Sequence, residues 1–261
     1  MTVPTSAPAP PPEIPAAGPA GGPGTAPELP LDKQGVRIRA MFGRVARRYD
    51  LLNHLLSASM DRIWRRRLAR DLRLPAGSRV LDLCSGTGDQ STALERRGYR
   101  VAAADFCLPM LALSRPKFAA AKGPRPAPLQ ADALALPFPA GSFDGATVSF
   151  GLRNVADLDR ALAELARVLR PGGELGVLEF TVPAFPPLRA LYLFYFRRLL
   201  PALGGWISGD PTAYAYLPES VLGFPQREGF LARLAAAGFE AARYRSLSGG
   251  VLALYRARRS A

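Results

Sequence analysis

Few of the side chains that bind metals or form cross-links occur in this sequence. Its 261 residues include two cysteines, Cys84 and Cys107, and a single histidine, His54. Two cysteines do not make a disulfide framework, and such a low number is typical of a reducing, cytoplasmic environment. Two thiols and one imidazole also fall short of the four ligands of a structural zinc site. We therefore predict no metal site and interpret His54 as a local structural residue.

Basic residues are absent from the first thirty positions, which contain ten of the 26 prolines. This stretch has neither the basic start and apolar core of a signal peptide nor the arginines of a transit peptide. Because a segment rich in Pro, Ala and Gly buries too little apolar surface to offset its ordering entropy, residues 1–32 are predicted to be a disordered tail. The remaining residues, 33–261, are long enough for one substantial α/β domain.

Acidic residues are scarce between residues 33 and 73, where twelve basic and three acidic side chains leave a net charge of +9. The segment 33–75 is predicted to form basic helices. Their charge is explained either by the solvated face of amphipathic helices or by attraction to an anionic membrane, at about 1 kcal/mol per basic residue near the lipid. Nucleic acid is a weaker explanation, because no signature of a nucleic-acid-binding module occurs, and we predict no such partner.

Strand-like and helix-like patterns alternate from Arg79 onward. The strand-like runs are RVLDLC (79–84), VAAAD (101–105), a run ending at Gln130, FDGATVSF (143–150) and ELGVLEF (174–180). Helices are predicted over about 90–97, 110–120 and 157–170. The last of them is expected to begin after Asp157 and to end at Pro171-Gly172-Gly173. Such alternation predicts a parallel sheet covered by helices, with ligands beyond the carboxyl ends of its strands.

A glycine-rich loop follows the first predicted strand in the stretch VLDLCSGTGDQS, residues 80–91. Gly86 and Gly88 open the backbone to a ligand, but Ser91 replaces the third glycine of the dinucleotide pattern G-x-G-x-x-G. Asp89, directly after the loop, would oppose a pyrophosphate and suits a cationic group such as the ammonium of an amino acid. S-adenosylmethionine carries an ammonium and a sulfonium and no phosphate, so it fits this loop better than a nicotinamide dinucleotide.

Two further strand ends supply groups that suit the same cofactor. Asp105 ends the second strand 19 residues after Gly86, close to the spacing of an acid that binds ribose hydroxyls. Asp132 and Ala133 follow the third strand, where a carboxylate and a backbone N–H can read adenine. We therefore predict S-adenosyl-L-methionine as the cofactor, against the alternatives of a structural turn or an NAD site.

The blocks VLDLCSGTGD, FGLRNV, RVLRPGG, VLEF and SGDPTAYAYLPES resemble the UbiE/MenG family of class I methyltransferases, which C-methylate polyprenyl quinols. The resemblance covers about residues 41–257. It implies a Rossmann-like α/β fold with a mostly parallel seven-stranded sheet and helices on both faces, and a substrate-side insertion at 182–225. The cofactor contacts of the family fall here on Thr87, Asp105, Asp132, Ala133 and Ser149, to which we add Asp82, Gly86 and Gly88 of the first strand and its loop.

Three positions depart from the family pattern. Ser85 replaces the first glycine of a Gly-Gly pair, Asp132 stands where asparagine is usual, and LALY replaces the closing V-A-L-H. Asp132 still accepts a hydrogen bond from the amino group of adenine. The role of the family's histidine is therefore either absent or taken by Tyr255.

Arg153 and Asn154 of FGLRN follow the fourth strand, so they are expected to face the crevice. Methyl transfer from a sulfonium needs a nucleophile in line about 3 Å away, so positioning supplies most of the catalysis. We expect the charge of Arg153 to lower the pKa of the quinol and to stabilise its oxyanion, while a water takes the proton. The alternative for Arg153 is a salt bridge to a helix. Tyr49 of RRYD is expected either to close over the site as a lid or to pack the N-terminal helix.

An apolar helical face lies within LRALYLFYFRRLLPALGGWIS. Its members, spaced as on one side of a helix, are Leu188, Leu191, Tyr192, Tyr195, Phe196 and Leu199. Arginines interrupt the run and Pro201 breaks it, so it does not span a bilayer. The run is interpreted as a core helix, as an apolar wall for a polyprenyl tail, or as an interfacial helix.

The expected reaction is methylation of a ring carbon of demethylmenaquinol in the cytoplasm, at peripheral contact with the inner face of an anionic membrane. The alternatives are the benzoquinol of the ubiquinone pathway, another small aromatic substrate, and a non-catalytic scaffold that binds S-adenosylmethionine within a quinone-synthesis complex. The sequence leaves the oligomeric state open.

Overall fold

The computed structural model describes residues 60–199 and 211–261, together with nine residues scattered between 40 and 59. At positions 197, 199 and 211–216 it describes the backbone. Seven of the nine scattered residues are helical. The predicted tail at 1–32 and the predicted lid residue Tyr49 lie outside the described residues.

From Arg79 to Phe180 the strands and helices follow one another in the predicted order, and three helices come in succession after Phe180. The helices are α1 (Met60–Asp71), α2 (Asp89–Glu95), α3 (Leu108–Ala119), α4 (Leu158–Val168), α5 (Pro186–Phe194), α6 (Pro211–Gly223) and α7 (Glu228–Ala236). The strands are β1 (Arg79–Leu83), β2 (Arg100–Asp105), β3 (Ala127–Gln130), β4 (Phe143–Ser149), β5 (Leu169–Phe180), β6 (Phe239–Leu247) and β7 (Leu252–Arg259). Short turns of 3₁₀ helix cover Leu152–Asn154 and Ser248–Gly250, and a π turn covers Tyr195–Leu199.

The strands form one seven-stranded sheet in the order β3-β2-β1-β4-β5-β7-β6. Strands β1 to β5 pair in parallel, whereas β7 runs antiparallel to both β5 and β6. The predicted mostly parallel sheet is therefore confirmed. The strand order reverses between β1 and β4, and a ligand crevice opens at such a point.

Helices cover both faces of the sheet. On one face α4 and α7 pack Leu162, Leu165 and Phe230 against the strands. On the other face α1 packs Leu68 against β5, where a Cβ on Gly176 would lie 2.6 Å from Leu68 Cδ1. A leucine buried as completely as these contributes about 2 kcal/mol, so the two layers supply much of the stability.

Helix α4 begins as predicted and ends earlier. The Asp157 carboxylate caps it by accepting a hydrogen bond from the backbone N–H of Arg160 at 3.0 Å. The helix ends at Val168, not at the predicted Pro171-Gly172-Gly173. Leu169 is fully buried and pairs with Phe143 at the edge of β4, so burial draws this residue into the sheet before the Pro-Gly-Gly break is reached.

The predicted apolar face of residues 188–199 is narrower than its spacing suggested. Tyr192 and Phe196 are buried, whereas Leu191 is 64% exposed. Helix α5 ends at Phe194 and continues as a π turn, which changes the angular spacing of the side chains that follow. The core-helix interpretation therefore does not hold for Leu191, whereas the buried pair forms a small core with Val221 of α6.

Candidate active site

The glycine-rich loop, residues 84–88, connects β1 to α2 at the point where the strand order reverses. Cys84, Gly86 and Gly88 have φ values of 55°, 55° and 84°. This left-handed backbone turns the chain sharply, and at Cys84 it costs about 1 kcal/mol because a side chain is present. The loop is thus a strained turn held at the carboxyl edge of the sheet, where such strain is often part of a site.

The two glycines of the loop are needed for different reasons. A Cβ atom on Gly88 would lie 2.5 Å from Cε1 of Phe118, so α3 approaches the loop closely because that side chain is absent. A Cβ on Gly86 would meet Met110 Cε at 3.5 Å, an ordinary contact. The space predicted for a ligand at Gly88 is therefore occupied by Phe118. It stays a prediction that the backbone atoms of Gly86 and Gly88 contact the cofactor.

Cys84 is a packing residue of the loop. Burial raises the pKa of its thiol well above the ordinary range, so the thiol stays protonated. A Cβ on Gly151 would overlap with Cys84 Cβ, which shows how closely the segment after β4 approaches the loop. Cys84 therefore does not act as a nucleophile.

Asp105, at the end of β2, ties the loop to its neighbouring strand. Its carboxylate accepts hydrogen bonds from the backbone N–H groups of Gly86 and Cys107, both at 2.8 Å. Burial raises the pKa of Asp105 to about 6, although hydrogen bonds from Cys107, Gly86 and Phe106 oppose the shift. Near neutral pH Asp105 is therefore a buried carboxylate anion beside the loop. An ionised carboxylate in this position can accept hydrogen bonds from ribose hydroxyls.

Asp82, in β1, connects this strand to α2 and to β4. It is fully buried, and its two oxygens accept hydrogen bonds from Ser91 Oγ at 2.5 Å and Thr147 Oγ1 at 3.0 Å. Burial raises the pKa of Asp82 to about 6 against the effect of these two hydroxyls and of Arg65. Ser91, at the third glycine position, therefore supplies one of the two hydroxyl donors to the buried Asp82 carboxylate. Direct contact between Asp82 and the cofactor stays a prediction.

The ends of β3 and β4 provide the remaining predicted cofactor contacts. Asp132 accepts a hydrogen bond from the Leu134 backbone N–H at 2.9 Å, and Ala133 beside it is buried. Ser149 Oγ lies 3.3 Å from Gln90 Oε1. The structure places these side chains at the same sheet edge as Asp105, and their contact with the cofactor stays a prediction.

Two buried polar atoms at the loop lack a hydrogen-bond partner among the described residues. They are Ser85 Oγ and Gln90 Nε2. Because a buried polar group without a partner costs about 1–3 kcal/mol, native proteins rarely retain one without a reason. A polar ligand in the crevice supplies such a reason, and the donors and acceptors of the loop fit the ribose and amino-acid groups of S-adenosylmethionine.

An ionic network that sequence reasoning missed joins the N-terminal segment to the loop. Thr87 Oγ1 donates a hydrogen bond to Asp50 Oδ1 at 2.5 Å, and Lys117 Nζ lies 2.6 Å from both Asp50 and Asp89. His54 lies 3.9 Å from Asp89 on the other side. Burial alone would raise the pKa of Asp89, but Arg65, Lys117 and His54 together lower it. The carboxylate that was expected to meet the cofactor's ammonium group is therefore already paired with Lys117.

Arg153 lies in the 3₁₀ turn after β4, and its positive charge is paired. Its Nη1 donates hydrogen bonds to Glu179 Oε2 at 2.9 Å and to the Phe150 carbonyl oxygen at 2.5 Å. The Glu179 side chain is fully buried and that of Arg153 is 7% exposed. A salt bridge is thus present, but its partner lies on strand β5 and not on a helix as the alternative had it, and the catalytic role of Arg153 stays a prediction. No spacing in the sequence linked Glu179 to Arg153.

Aromatic side chains form a wall beside this ion pair. Successive ring centroids lie 6.5 Å apart for Trp64–Phe150, 4.8 Å for Phe150–Phe180, 6.4 Å for Phe180–Phe196 and 4.8 Å for Phe196–Tyr192. We call these five residues the aromatic wall. The Arg153 guanidinium carbon lies 5.5 Å from the Phe180 ring centroid, within cation–π range. A cationic group and an apolar surface therefore meet at the end of β4 and β5.

Tyr255, at the position of the family's histidine, is part of the core. It is fully buried in β7, and its hydroxyl accepts a hydrogen bond from the Arg227 backbone N–H at 2.8 Å. Burial raises the pKa of this hydroxyl to about 12. Because the Tyr255 hydroxyl is buried and already bonded to the backbone, we favour the alternative that this chain lacks the role of the family's histidine over the alternative that Tyr255 performs it.

A sheet of this order, a glycine-rich loop after β1 and an acid at the end of β2 together define a class I methyltransferase. The fold is shared by a solved SAM-dependent methyltransferase from Thermotoga maritima, with a TM-score of 0.62 and 19% identity over 85% of this chain and 100% of that one. The sequence profile of the ubiE/COQ5 methyltransferase family matches residues 31–259, and the chain belongs to that family.

Curated relatives match most of the chain. A demethylmenaquinone methyltransferase from Thermus thermophilus is 54% identical, over 82% of this chain and 98% of its own length. A demethylmenaquinone methyltransferase from a Parafrankia species is 45% identical, over 87% and 95%. A ubiquinone/menaquinone biosynthesis C-methyltransferase, UbiE, from Citrifermentans bemidjiense is 43% identical, over 86% and 97%.

A further solved structure shares the fold and holds the cofactor. It is the phosphoethanolamine N-methyltransferase 2 of Haemonchus contortus in complex with S-adenosyl-L-methionine. Its TM-score is 0.54 at 16% identity, over 74% of this chain and 51% of that one. At this identity the likeness concerns the fold alone.

Proposed function

We propose that this methyltransferase moves the methyl group of S-adenosyl-L-methionine to a ring carbon of a polyprenylated quinol, demethylmenaquinol, and so forms menaquinol. The observation that carries the proposal is the position of the aromatic wall and the buried Arg153–Glu179 pair at the sheet edge that holds the glycine-rich loop. The relatives named as demethylmenaquinone methyltransferases support the choice of quinol.

The methyl donor is S-adenosyl-L-methionine, which supplies an electrophilic methyl group when it is bound. The residues proposed to hold it are the backbone of Gly86 and Gly88, together with Thr87, Asp105, Asp132, Ala133 and Ser149. Asp82, also proposed to contact the cofactor, links β1 to α2 through Ser91 and to β4 through Thr147. The unpartnered Ser85 Oγ and Gln90 Nε2 are the further atoms that a polar ligand would satisfy.

On the substrate side of the crevice, Arg153 and Asn154 act as hydrogen-bond donors more than through an uncompensated positive charge. Because Glu179 neutralises Arg153, this arginine shifts the pKa of the quinol less than an unpaired guanidinium would. Its Nε has no partner among the described residues and stays free to donate to a ring oxygen. Arg153 and Asn154 thereby orient the ring, the quinol proton passes to water, and the aromatic wall excludes solvent from the reacting carbon.

The lid role proposed for Tyr49 rests on its neighbour in the sequence. Asp50 contacts both Thr87 of the loop and Lys117 of α3, so the N-terminal segment reaches the cofactor loop. Tyr49 remains a proposed catalytic residue on that ground.

Analysis of quinones from cells that lack this protein tests the proposal. We expect mass spectrometry to find a naphthoquinone one methyl group lighter than the normal product. The relatives named UbiE favour a second candidate substrate, the benzoquinol of ubiquinone synthesis, whose demethylated form would then accumulate. A normal quinone pool in these cells would contradict both candidates.

Peripheral contact with a membrane would bring the enzyme to a lipid substrate at the cytoplasmic face. Of the described helices, none is both long and apolar enough to cross a bilayer. Phe185, Leu191 and Phe194, at and along α5, are each more than half exposed. The solvent-facing side of α1 carries Arg62, Ile63, Arg66, Arg67 and Arg70. Apolar and basic side chains of this kind bind anionic lipid surfaces.

The double variant Leu191→Asp/Phe194→Asp tests this contact. Because each apolar side chain contributes about 2 kcal/mol when it enters lipid, the fraction bound to anionic vesicles should fall at least tenfold in sedimentation. Leu113→Asp changes an exposed leucine of α3 and serves as the control, which should bind as the parent does. Equal binding by the double variant and its parent would contradict contact through α5.

A further inference from the structure

Three buried polar atoms at the aromatic wall lack a hydrogen-bond partner among the described residues. They are Arg153 Nε, Asn154 Oδ1 and Tyr192 Oη. Arg153 and Asn154 are already proposed to face the substrate, whereas nothing in the sequence gave Tyr192 more than an apolar role. A buried hydroxyl without a partner is unusual enough to need an explanation.

The hydroxyl of Tyr192 is a neutral donor close to the charge of Arg153. The residue is 8% exposed, and its ring stacks on Phe196 with centroids 4.8 Å apart. Burial raises the pKa of Tyr192 far above its ordinary value, and the positive charge of Arg153 partly opposes this shift. Phe180 lies between the two groups, since its ring centroid is 5.5 Å from the Arg153 guanidinium carbon and 6.4 Å from the ring centroid of Phe196. The hydroxyl keeps its proton at neutral pH.

The other buried tyrosines of the described chain have satisfied hydroxyls. Tyr99 Oη donates to the Leu72 carbonyl oxygen at 3.2 Å. Tyr255 Oη accepts from the Arg227 backbone N–H at 2.8 Å. Both are linked to backbone groups that the fold itself provides. Tyr192 differs because its buried hydroxyl has no such partner within the part of the chain that the structure describes.

We propose that Tyr192 Oη donates a hydrogen bond to a ring oxygen of the substrate, beside Arg153 Nε, and so orients the ring for methylation. This inference rests on the proposed function, since it requires a substrate with a phenolic oxygen. The donor stabilises the oxyanion that makes the neighbouring ring carbon nucleophilic. An aromatic substrate without that oxygen would leave the hydroxyl unpaired and would bind more weakly.

The variant Tyr192→Phe removes the oxygen and keeps the ring stacking. We expect kcat/KM for demethylmenaquinol to fall about 10- to 100-fold, as when one donor to an oxyanion is lost. The lower limb of the pH–rate profile should move to higher pH, because the phenolate is less stabilised. The dissociation constant of S-adenosylmethionine should not change, and the melting temperature of the substrate-free protein should not fall, because the hydroxyl that is removed has no partner among the described residues.

Tyr99→Phe is the matched control, since it removes a buried hydroxyl far along the chain from the crevice. It should lower the melting temperature, because Leu72 O loses a partner, and leave kcat/KM unchanged. The expected effects on stability and on activity are thus reversed between the two variants.

A binding comparison provides a second test that does not need turnover. Wild-type enzyme should bind the quinol more tightly than an analogue that lacks one ring hydroxyl, and Tyr192→Phe should bind the two more nearly alike. Unchanged kcat/KM in Tyr192→Phe, or the same preference for the hydroxyl in both proteins, would overturn the inference. No methylation of demethylmenaquinol by the wild type would instead overturn the proposed function.

Discussion

Buried carboxylates lie on both sides of the crevice, but their charges are compensated in different ways. On the cofactor side, hydroxyl and backbone N–H groups bind Asp82 and Asp105, and burial raises both pKa values to about 6. On the substrate side, Glu179 is paired with Arg153 at 2.9 Å. The cofactor side therefore keeps negative charge that suits a sulfonium and an ammonium group. The substrate side is nearly neutral and offers hydrogen-bond donors to an oxygen.

The largest effect is expected on the substrate side from Arg153→Ala. Turnover should fall about 1000-fold because a donor to the ring oxygen is lost. The dissociation constant of S-adenosylmethionine, measured by calorimetry, should stay within about twofold of the wild-type value, because the arginine contacts the other side of the crevice.

A double variant shows whether Arg153→Ala loses activity because the protein is less stable or because the reaction lacks a hydrogen-bond donor. Arg153→Ala leaves Glu179 buried without a partner, at a cost of about 3–5 kcal/mol, and Arg153→Ala/Glu179→Ala should recover much of that stability. If turnover returned together with stability, Arg153 would have a structural role and no part in the mechanism.

A smaller effect is expected from Glu179→Gln, which keeps the shape of the side chain and removes its charge. The free energy of unfolding should fall by about 3 kcal/mol, because Arg153 stays buried and charged. The uncompensated charge should also lower the pKa of the quinol and move the lower limb of the pH–rate profile to lower pH. Both quantities are measurable, by denaturant unfolding and by steady-state kinetics.

Glu174→Gln is the control for Glu179→Gln within the same strand. Glu174 pairs with Arg256 at 3.3 Å and with Arg258, whose side chain is 56% exposed, at the opposite edge of the sheet. Because Glu174 is buried like Glu179, the free energy of unfolding should again fall by about 3 kcal/mol, but the pH–rate profile should not move, since this pair lies away from the crevice. Equal shifts in the two variants would show that Glu179 has no special relation to the reaction.

The smallest effect concerns the pH dependence of stability on the cofactor side. The folded-state pKa values of Asp82 and Asp105, about 6, lie above the ordinary value of 3.8. The folded state thus binds more protons than the unfolded state between these values, so stability should rise as pH falls from 7 to 5. Each carboxyl should contribute about 1 kcal/mol to that rise.

Asp82→Asn removes one of these two contributions. The amide can still bond with the Ser91 and Thr147 hydroxyls, which accept as well as donate. Denaturant unfolding of the variant at pH 5 and pH 7 should therefore show a smaller difference than in the wild type. An unchanged difference would mean that Asp82 is not the group that titrates.

The features predicted from the sequence are those that follow from order along the chain. The strand–loop–helix alternation, the loop at 84–88 and the acid ending β2 were all placed correctly, because parallel strands bring their carboxyl ends to one edge. The end of α4 was misplaced because burial of Leu169 outweighs the Pro-Gly-Gly break. Local signals thus decide where elements occur, and packing decides where they end.

The features that the sequence did not predict depend on contacts between distant residues. Lys117 meets Asp50 across 67 positions, and Glu179 meets Arg153 across 26. The requirement for glycine at position 88 comes from Phe118, which no motif connects with the loop. The Tyr192 hydroxyl, which has no partner among the described residues, is a property of the packed structure, since the same residue in an apolar helical pattern indicates only burial.

Transfer of a labelled methyl group by the purified protein tests the central claim most directly. S-adenosylmethionine with a deuterated methyl group is mixed with demethylmenaquinol, and the quinol is analysed by mass spectrometry. The account predicts a menaquinol that carries the deuterated methyl on the ring carbon beside a hydroxyl. Tight binding of the cofactor without label in any quinol, naphthoquinol or benzoquinol, would contradict it.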